Sequence, residues 1–259
     1  MQLPPTMLYE KRDRIAIITI NRPEALNAFT PDMLRAMDAA FADFNKDPNL
    51  WVAIFTAKGE RSFCAGMDLK EAIGLVTSGD EMGYEDHTKR PFSDVFKPII
   101  GAVNGYCIAG GLEFLQGTDL RIAAEHATFG LGEVRWGIIP TGGSHIRLPR
   151  QIPYAKAMEM LMIGDAFSAR QALEMGLLNY VVAKEQLMAK ARELAHRLAE
   201  NGPLAVQKIK EGVMRTSGVP LEQALEIENE VSVAVLMSKD AREGPRAFKE
   251  KRKPRFTGE

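Results

Sequence analysis

The sequence predicts an α/β fold in which buried strands alternate with helices before the chain ends in helices alone. Three observations carry this. Short, nearly continuous apolar runs recur at residues 15–20, 51–57, 98–103 and 120–124, as strands covered on both faces require. Glycine-rich turns stand between strand-length and helix-length segments. Beyond Pro153 helical periodicity takes over almost entirely.

In chain order, residues 8–20 alternate and then become continuously apolar (Ile15, Ala16, Ile17, Ile18, Ile20), a hairpin leading into a buried strand that Asn21, Arg22 and Pro23 end. Thr30 as N-cap and Pro31 at the first helical position start a helix that buries Met33, Leu34, Met37, Phe41 and Phe44 and turns Asp32, Asp38 and Asp43 outward. Residues 51–57 make the next buried strand, closed by Lys58, Gly59 and Glu60. S-F-C-A-G-M-D-L-K at 62–70 is a glycine turn running from a strand region into a helix. Residues 73–96, with Gly74, Gly79, Gly83 and a polar run at 85–90, are expected to be helical but mobile. Residues 98–103 form a short strand, 120–124 another, and the turn W-G-I-I-P-T-G-G-S at 136–144 opens a helix toward Leu148. Helices are then expected at 154–163 and 168–175, a strand at 179–182, and helices at 184–200, 203–216, 220–237 and from Asp240 into the basic tail. The 220–237 helix repeats Leu221, Leu225, Glu228, Val231 and Val235, a stripe able to pack on its own domain or on a partner subunit.

Chemistry concentrates between Asn104 and Glu133. N-G-Y-C-I-A-G-G-L-E (104–113) and F-G-L-G-E (129–133) each place a carboxylate behind a glycine-rich turn, one helix-sized and one strand-sized segment apart. That arrangement can bring Glu113 and Glu133 into one pocket. Turns that open helices expose N–H groups without helical partners, so Ala109, Gly110 and Gly111 can present donors to an anionic oxygen. Glu113 has two readings on spacing alone: an exposed helix-start acid favoured by the macrodipole, or a desolvated acid–base group among Leu112, Phe114 and Leu115. The turn at 62–70 offers a second donor at the Met67 N–H, and two such donors are what an oxyanion hole requires. Cys64 and Cys107 have no histidine nearby in sequence and read as buried small residues. Ser144 does not sit in a G-x-S-x-G elbow, so a serine hydrolase is not indicated.

Composition narrows the class. With 259 residues, 46% hydrophobic and 26% charged, the chain has an ordinary globular balance and room for a substantial core. A net charge of -1 gives no electrostatic reason for a nucleic-acid or acidic-membrane partner. The helix after Thr30 sets Asp32, Asp38 and Asp43 against Arg35 and Lys46, which also argues against a polyanion. Two cysteines give no disulfide framework, and no apolar run has the length of a signal peptide core or a membrane span. A soluble, cytoplasmic protein is expected, with a processed organellar protein left open.

N-R-P-E-A-L-N-A, S-F-C-A-G-M-D-L-K, A-V-N-G-Y-C-I-A-G-G-L-E, F-G-L-G-E, G-I-I-P-T-G-G and A-F-K-E-K-R-K, in this order and over nearly the whole chain, resemble the crotonase, or enoyl-CoA hydratase/isomerase, family. The resemblance implies a spiral of β-β-α units over residues 1–200 holding the active site, with a helical trimerisation region over 201–259 and homotrimers or homohexamers built as dimers of trimers. It implies oxyanion donors at the N–H groups of Met67 and Gly110, and catalytic glutamates at Glu113 and Glu133. Both acids together favour a hydratase, since isomerases of the family commonly keep only one. The implied substrate is an acyl-CoA thioester, with coenzyme A part of the substrate and neither separate cofactor nor metal. Ala25, Leu26, Ala65 and Leu69 would border the adenine and pantetheine, while Lys70, and Phe248 with Lys251 from a neighbouring subunit, would meet the nucleotide end. A solvated basic helix end is the alternative for the closing lysines. Glu24 stands where the family often has lysine, Ala109 where it has glycine, and Ser144 falls where G-A-G-G-T is usual, which points to an altered acyl pocket. Alternatives are a dehydratase or double-bond isomerase on a specialised thioester, of carnitinyl or aromatic-pathway type, and, in a different class, an RNA-binding or catalytically silent relative.

Overall fold

Residues 15–20 are buried on both faces because they lie inside a sheet packed from two sides. The computed structural model describes residues 3–71 and 88–259. A six-stranded sheet has the order β1 (Met7–Arg12), β2 (Ile15–Ile20), β3 (Val52–Ala57), β5 (Ile99–Val103), β7 (Leu120–Ala124), β10 (Tyr180–Val182). Only β1 runs antiparallel to its neighbour, closing the expected hairpin with Met7 opposite Ile20 and Arg12 opposite Ile15. A four-stranded sheet has the order β4 (Ser62–Cys64), β6 (Tyr106–Ile108), β8 (Thr128–Gly130), β9 (Phe167–Ser168), with the first three parallel.

The period-two alternation of strands divides the core. Ile15, Ile17, Val52, Ile54, Ile100 and Ile122 face Leu187, Ala191, Leu194 and Ala195 of the helix Leu187–Ala199. Ala16, Ile18, Ala53 and Phe55 point the other way, into a cluster shared with α1 (Pro31–Lys46) and the small sheet. Helix α1 begins as its sequence dictates, with the Thr30 hydroxyl accepting from the Met33 N–H and Pro31 at the first position. Phe41, Phe55, Phe63 and Phe114 tie helix, large sheet, small sheet and α2 (Gly110–Gln116) together, the Phe55 and Phe63 rings standing edge to face at 5.3 Å.

The chain thus repeats one unit: a strand to the large sheet, a strand to the small sheet, then a helix or helical turn. The pairs β3–β4, β5–β6 and β7–β8 each take the next place in both sheets. Every such pair ends at the same edge of the small sheet. That edge is where the conspicuous turns lie.

After α3 (Ser144–Gln151), α4 (Tyr154–Ile163) and α5 (Ala169–Glu174), capped reciprocally by Ser168 and Gln171, come α6 (Leu187–Ala199), α7 (Pro203–Thr216), α8 (Leu221–Leu236) and α9 (Lys239–Lys249). Lys210 on α7 binds Asp119 and the Lys97 carbonyl, tying the helical end to the sheet. The strands at 106–108, 128–130 and 167–168 are absent from the sequence reading. Of the helical segment expected over 73–96, residues up to 87 lie outside the described residues, and 88–96 form turns rather than helix.

Candidate active site

Three adjacent parallel strands of the small sheet deliver the predicted groups. β4 ends at Cys64 and Met67 follows; β6 ends at Ile108, followed by Gly110 and, one helical turn later, Glu113; β8 ends at Gly130 and Glu133 follows. Carboxyl ends of neighbouring parallel strands are the usual place for a ligand in α/β sheets, because the connecting turns converge there.

The 62–70 turn runs into a helix as expected, but the helix begins at residue 69, beyond Met67, which lies instead in an isolated parallel bridge with Phe29. The bridge uses the residues on either side: Phe29 N–H donates to the Gly66 carbonyl and Asp68 N–H to the Phe29 carbonyl, both at 2.9 Å. The Met67 N–H is left out of that pairing and faces the opposite side. In the second turn Ala109 donates to Gly130, while its carbonyl accepts from Leu112 and Glu113, so the amides before them stay outside the helical pattern. The two turns touch. Gly66 (φ +93°) has no room for a side chain, since a Cβ there would lie 2.9 Å from the Ala109 Cβ and 3.5 Å from the Gly110 nitrogen.

Glu113 is 7% exposed, which removes the exposed-acid reading. Its carboxylate accepts from the Ser144 hydroxyl at 3.1 Å, and the backbone N–H groups of Gly142 and Ser144 also favour its charged form. Burial raises its proton affinity, and those three donors partly offset this. Glu133 opens a 3₁₀ turn, Glu133–Trp136, and is half-buried. Burial, with the negative charge of Glu113 adding to it, pushes its carboxyl up to about 7; only its own N–H opposes the shift. Its Oε2 has no hydrogen-bond partner among the described residues. The two carboxylates therefore share one field and have unequal support.

Of the residues expected around coenzyme A, Ala25, Leu26, Ala65 and Leu69 fall on adjoining loops. Ala65 N–H donates to the Leu26 carbonyl at 3.2 Å, and Arg22 clamps Asp68 at 2.7 Å. Leu69 is 53% exposed and Lys70 is also exposed. Phe248, at 88% exposure, and Lys251 lie at the end of α9, which packs on α8; among the described residues no hydrogen bond or ion pair joins them to these loops. Cys64 and Cys107 are register partners in β4 and β6, fully buried, and burial pushes the Cys64 thiol up to about 12, as small core residues rather than nucleophiles. Among the described residues no group of three or more His, Cys, Asp or Glu side chains is placed to hold a metal, and no helix is long and apolar enough to cross a membrane.

Sequence reasoning missed the support around Glu113. Ser144 lies 31 residues away and Gly142 29, and no spacing rule joins a helix start to a distant loop. The departure of Ser144 from the usual G-A-G-G-T was the available signal.

Residues 10–259 match the family described as Enoyl-CoA hydratase/isomerase. The chain is 44% identical over 260 residues to "Enoyl-CoA hydratase EchA19" of Mycobacterium tuberculosis, covering 97% of this chain and 96% of that protein. It is 43% identical over 248 residues to "Carnitinyl-CoA dehydratase" of Salmonella typhi, with 93% and 94% covered. The crystal structure of enoyl-CoA hydratase EchA1 from Mycobacterium marinum superposes with a TM-score of 0.90 at 40% identity, over 99% of this chain and 100% of that one.

Proposed function

Because the chain belongs to the enoyl-CoA hydratase/isomerase, or crotonase, family, we propose that Glu113 and Glu133 together add water across the 2,3 double bond of a trans-2-enoyl-CoA, giving a 3-hydroxyacyl-CoA. The chain is an enoyl-CoA hydratase of the crotonase fold, an enzyme acting on a CoA thioester. The observation that carries the division of labour is the unequal support of the two acids. Glu113, with three donors, is the one whose charged form is supported; Glu133, held at about 7 with an unpartnered oxygen, is about half protonated at neutral pH and is the one able to supply a proton.

Glu113 takes a proton from water as its oxygen attacks Cβ. The π electrons move to the thioester oxygen, where the N–H groups of Met67 and Gly110 meet the developing charge, each worth about 3 kcal/mol. Glu133 delivers its proton to Cα as the carbonyl re-forms, and proton exchange with solvent restores both acids. General acid–base action of this kind contributes roughly a hundred- to ten-thousandfold.

The loops of Ala25, Leu26, Ala65 and Leu69, with Lys70, are assigned to the CoA moiety, and Phe248 with Lys251 to the nucleotide end of a neighbouring subunit's substrate. Assembly through residues 201–259 as homotrimer or homohexamer is supported by the apolar cleft of about 590 Å³ between α7 and α8, where Ile209, Val213, Leu221 and Leu225 are more than half exposed. A division at residue 200 accords with α6 packing on the sheet while α7 and α8 pack on each other.

A second reading, dehydration of a carnitinyl-type thioester, is favoured by the relatives of that name; it is the same chemistry run backwards. Loss of the conjugated-thioester absorbance across a panel of 2-enoyl-CoA substrates, beside carnitinyl-CoA in the dehydration direction, separates the two. Turnover of a simple enoyl-CoA at least equal to that of carnitinyl-CoA supports the first reading, and the reverse ratio the second.

A further inference from the structure

We propose that Ser144, oriented by Gln116, is a positioning residue for Glu113, and that the two form a hydrogen-bond chain able to serve the carboxyl in both protonation states. The inference rests on the hydratase reading, in which Glu113 alternates between those states. Ser144 Oγ donates to Glu113 Oε1 at 3.1 Å, and Gln116 Nε2 donates to Ser144 Oγ at 2.9 Å. Ser144 is 0% and Gln116 2% exposed, so water does not compete for these bonds. Glu113 and Gln116 lie three residues apart on α2 and share a face, and Ser144, the first residue of α3, inserts between them.

The direction of the chain follows from donor and acceptor inventory. A carboxylate only accepts, so the Ser144 proton points at Glu113 and the hydroxyl oxygen takes the Gln116 amide as donor. This leaves Gln116 Oε1 without a partner among the described residues. A buried acceptor left unmatched is uncommon. When the proton taken from water resides on Glu113 Oε1, that O–H donates to Ser144 Oγ, the serine proton turns toward Gln116, and a half-turn of the amide presents Gln116 Oε1 to it while Nε2 leaves its acceptor. Every hydrogen stays on its own atom, and only the directions of the bonds reverse. The orphaned oxygen is matched in that second state. Among the described residues, the titratable groups whose charge bears on Glu113 are Glu133 from the 3₁₀ turn and His145 from α3. Neither is part of the chain.

The test is Ser144→Ala, which removes one oxygen, and Gln116→Met, which removes the donor to Ser144 at similar volume. Two readouts are taken: kcat/KM for crotonyl-CoA between pH 5 and 9, and the titration of the Glu113 carboxyl by ¹³C NMR, assigned by its loss in Glu113→Gln. Losing a donor to the charged form favours the protonated one. The acid limb and the NMR titration therefore both move upward by about one on the pH scale in Ser144→Ala, with kcat/KM about tenfold down below the limb and little changed above it. Gln116→Met moves both in the same direction by less. Titration of Glu113 at the wild-type pH in folded Ser144→Ala overturns the proposal. If Ser144→Ala does not fold, Gln116→Met carries the test with the same two outcomes. Should the wild type hydrate no enoyl-CoA, the hydratase reading fails on its own, and the NMR titration still decides the hydrogen-bond chain.

Discussion

Replacing Glu133 by glutamine is expected to lower hydration by roughly a hundredfold or more and at the same time to stabilise the protein in alkaline solution. A carboxyl lifted from 4.5 to about 7 binds its proton more tightly folded than unfolded. Its destabilising effect therefore begins near pH 4.5, grows as pH rises and is complete above 7. The full shift corresponds to about 3 kcal/mol as an upper bound, and solvent access to this half-buried side chain reduces it to about 1–2 kcal/mol. Urea unfolding of wild type and Glu133→Gln at matched protein concentration is the assay, because subunit association adds its own stability. The variant is expected to match wild type to within about 0.5 kcal/mol at pH 5 and to exceed it by about 1–2 kcal/mol at pH 8.5. An excess that is the same at both pH values refutes the claim that an uncompensated carboxylate is stored at this position.

Two further substitutions probe the backbone around the site. In Gly142→Ala the new Cβ would lie 2.7 Å from Glu113 Oε2; displacing that carboxylate is expected to lower kcat at least about a hundredfold for about 1–3 kcal/mol of stability, measured by steady-state kinetics and urea unfolding. Ala109 holds φ 52° and ψ -127°, a region natural to glycine; Ala109→Gly releases about 1–3 kcal/mol of strain, less about 0.5–1 for the freer unfolded chain, and the thermal midpoint is expected to rise by about 2–4 °C.

The sequence made long elements legible and short ones not. Helix α1 is announced by Thr30 and Pro31, and α7 by Pro203, because caps and periodicity are local properties. Strands β6 and β8 have three residues each and merge into glycine-rich turns, too short for any period; the pairing of β6 with β4 at Cys107 and Cys64, and of β8 with β6 at Phe129 and Cys107, is a product of the tertiary fold. The consequence for the site is specific. Motif spacing pointed to Met67, to the 109–111 turn, and to Glu113 and Glu133, with Gly110 singled out by the resemblance, but left Glu113 divided between solvent and core. Its burial under Gly142 and Ser144 depends on a loop about 30 residues away, which no local pattern encodes. Phe248 and Lys251 are legible only through resemblance, since their proposed ligand lies on another subunit.

The most direct measurement of the central claim is hydration of crotonyl-CoA at pH 7 by wild type, Glu113→Gln and Glu133→Gln, followed by loss of the conjugated-thioester absorbance with folding checked by circular dichroism. Turnover by wild type and a loss of roughly a hundredfold or more in each variant are expected, the range of a single acid–base group. Hydration that survives either substitution within about tenfold contradicts the two-carboxylate mechanism, because a positioned acid or base contributes more than that.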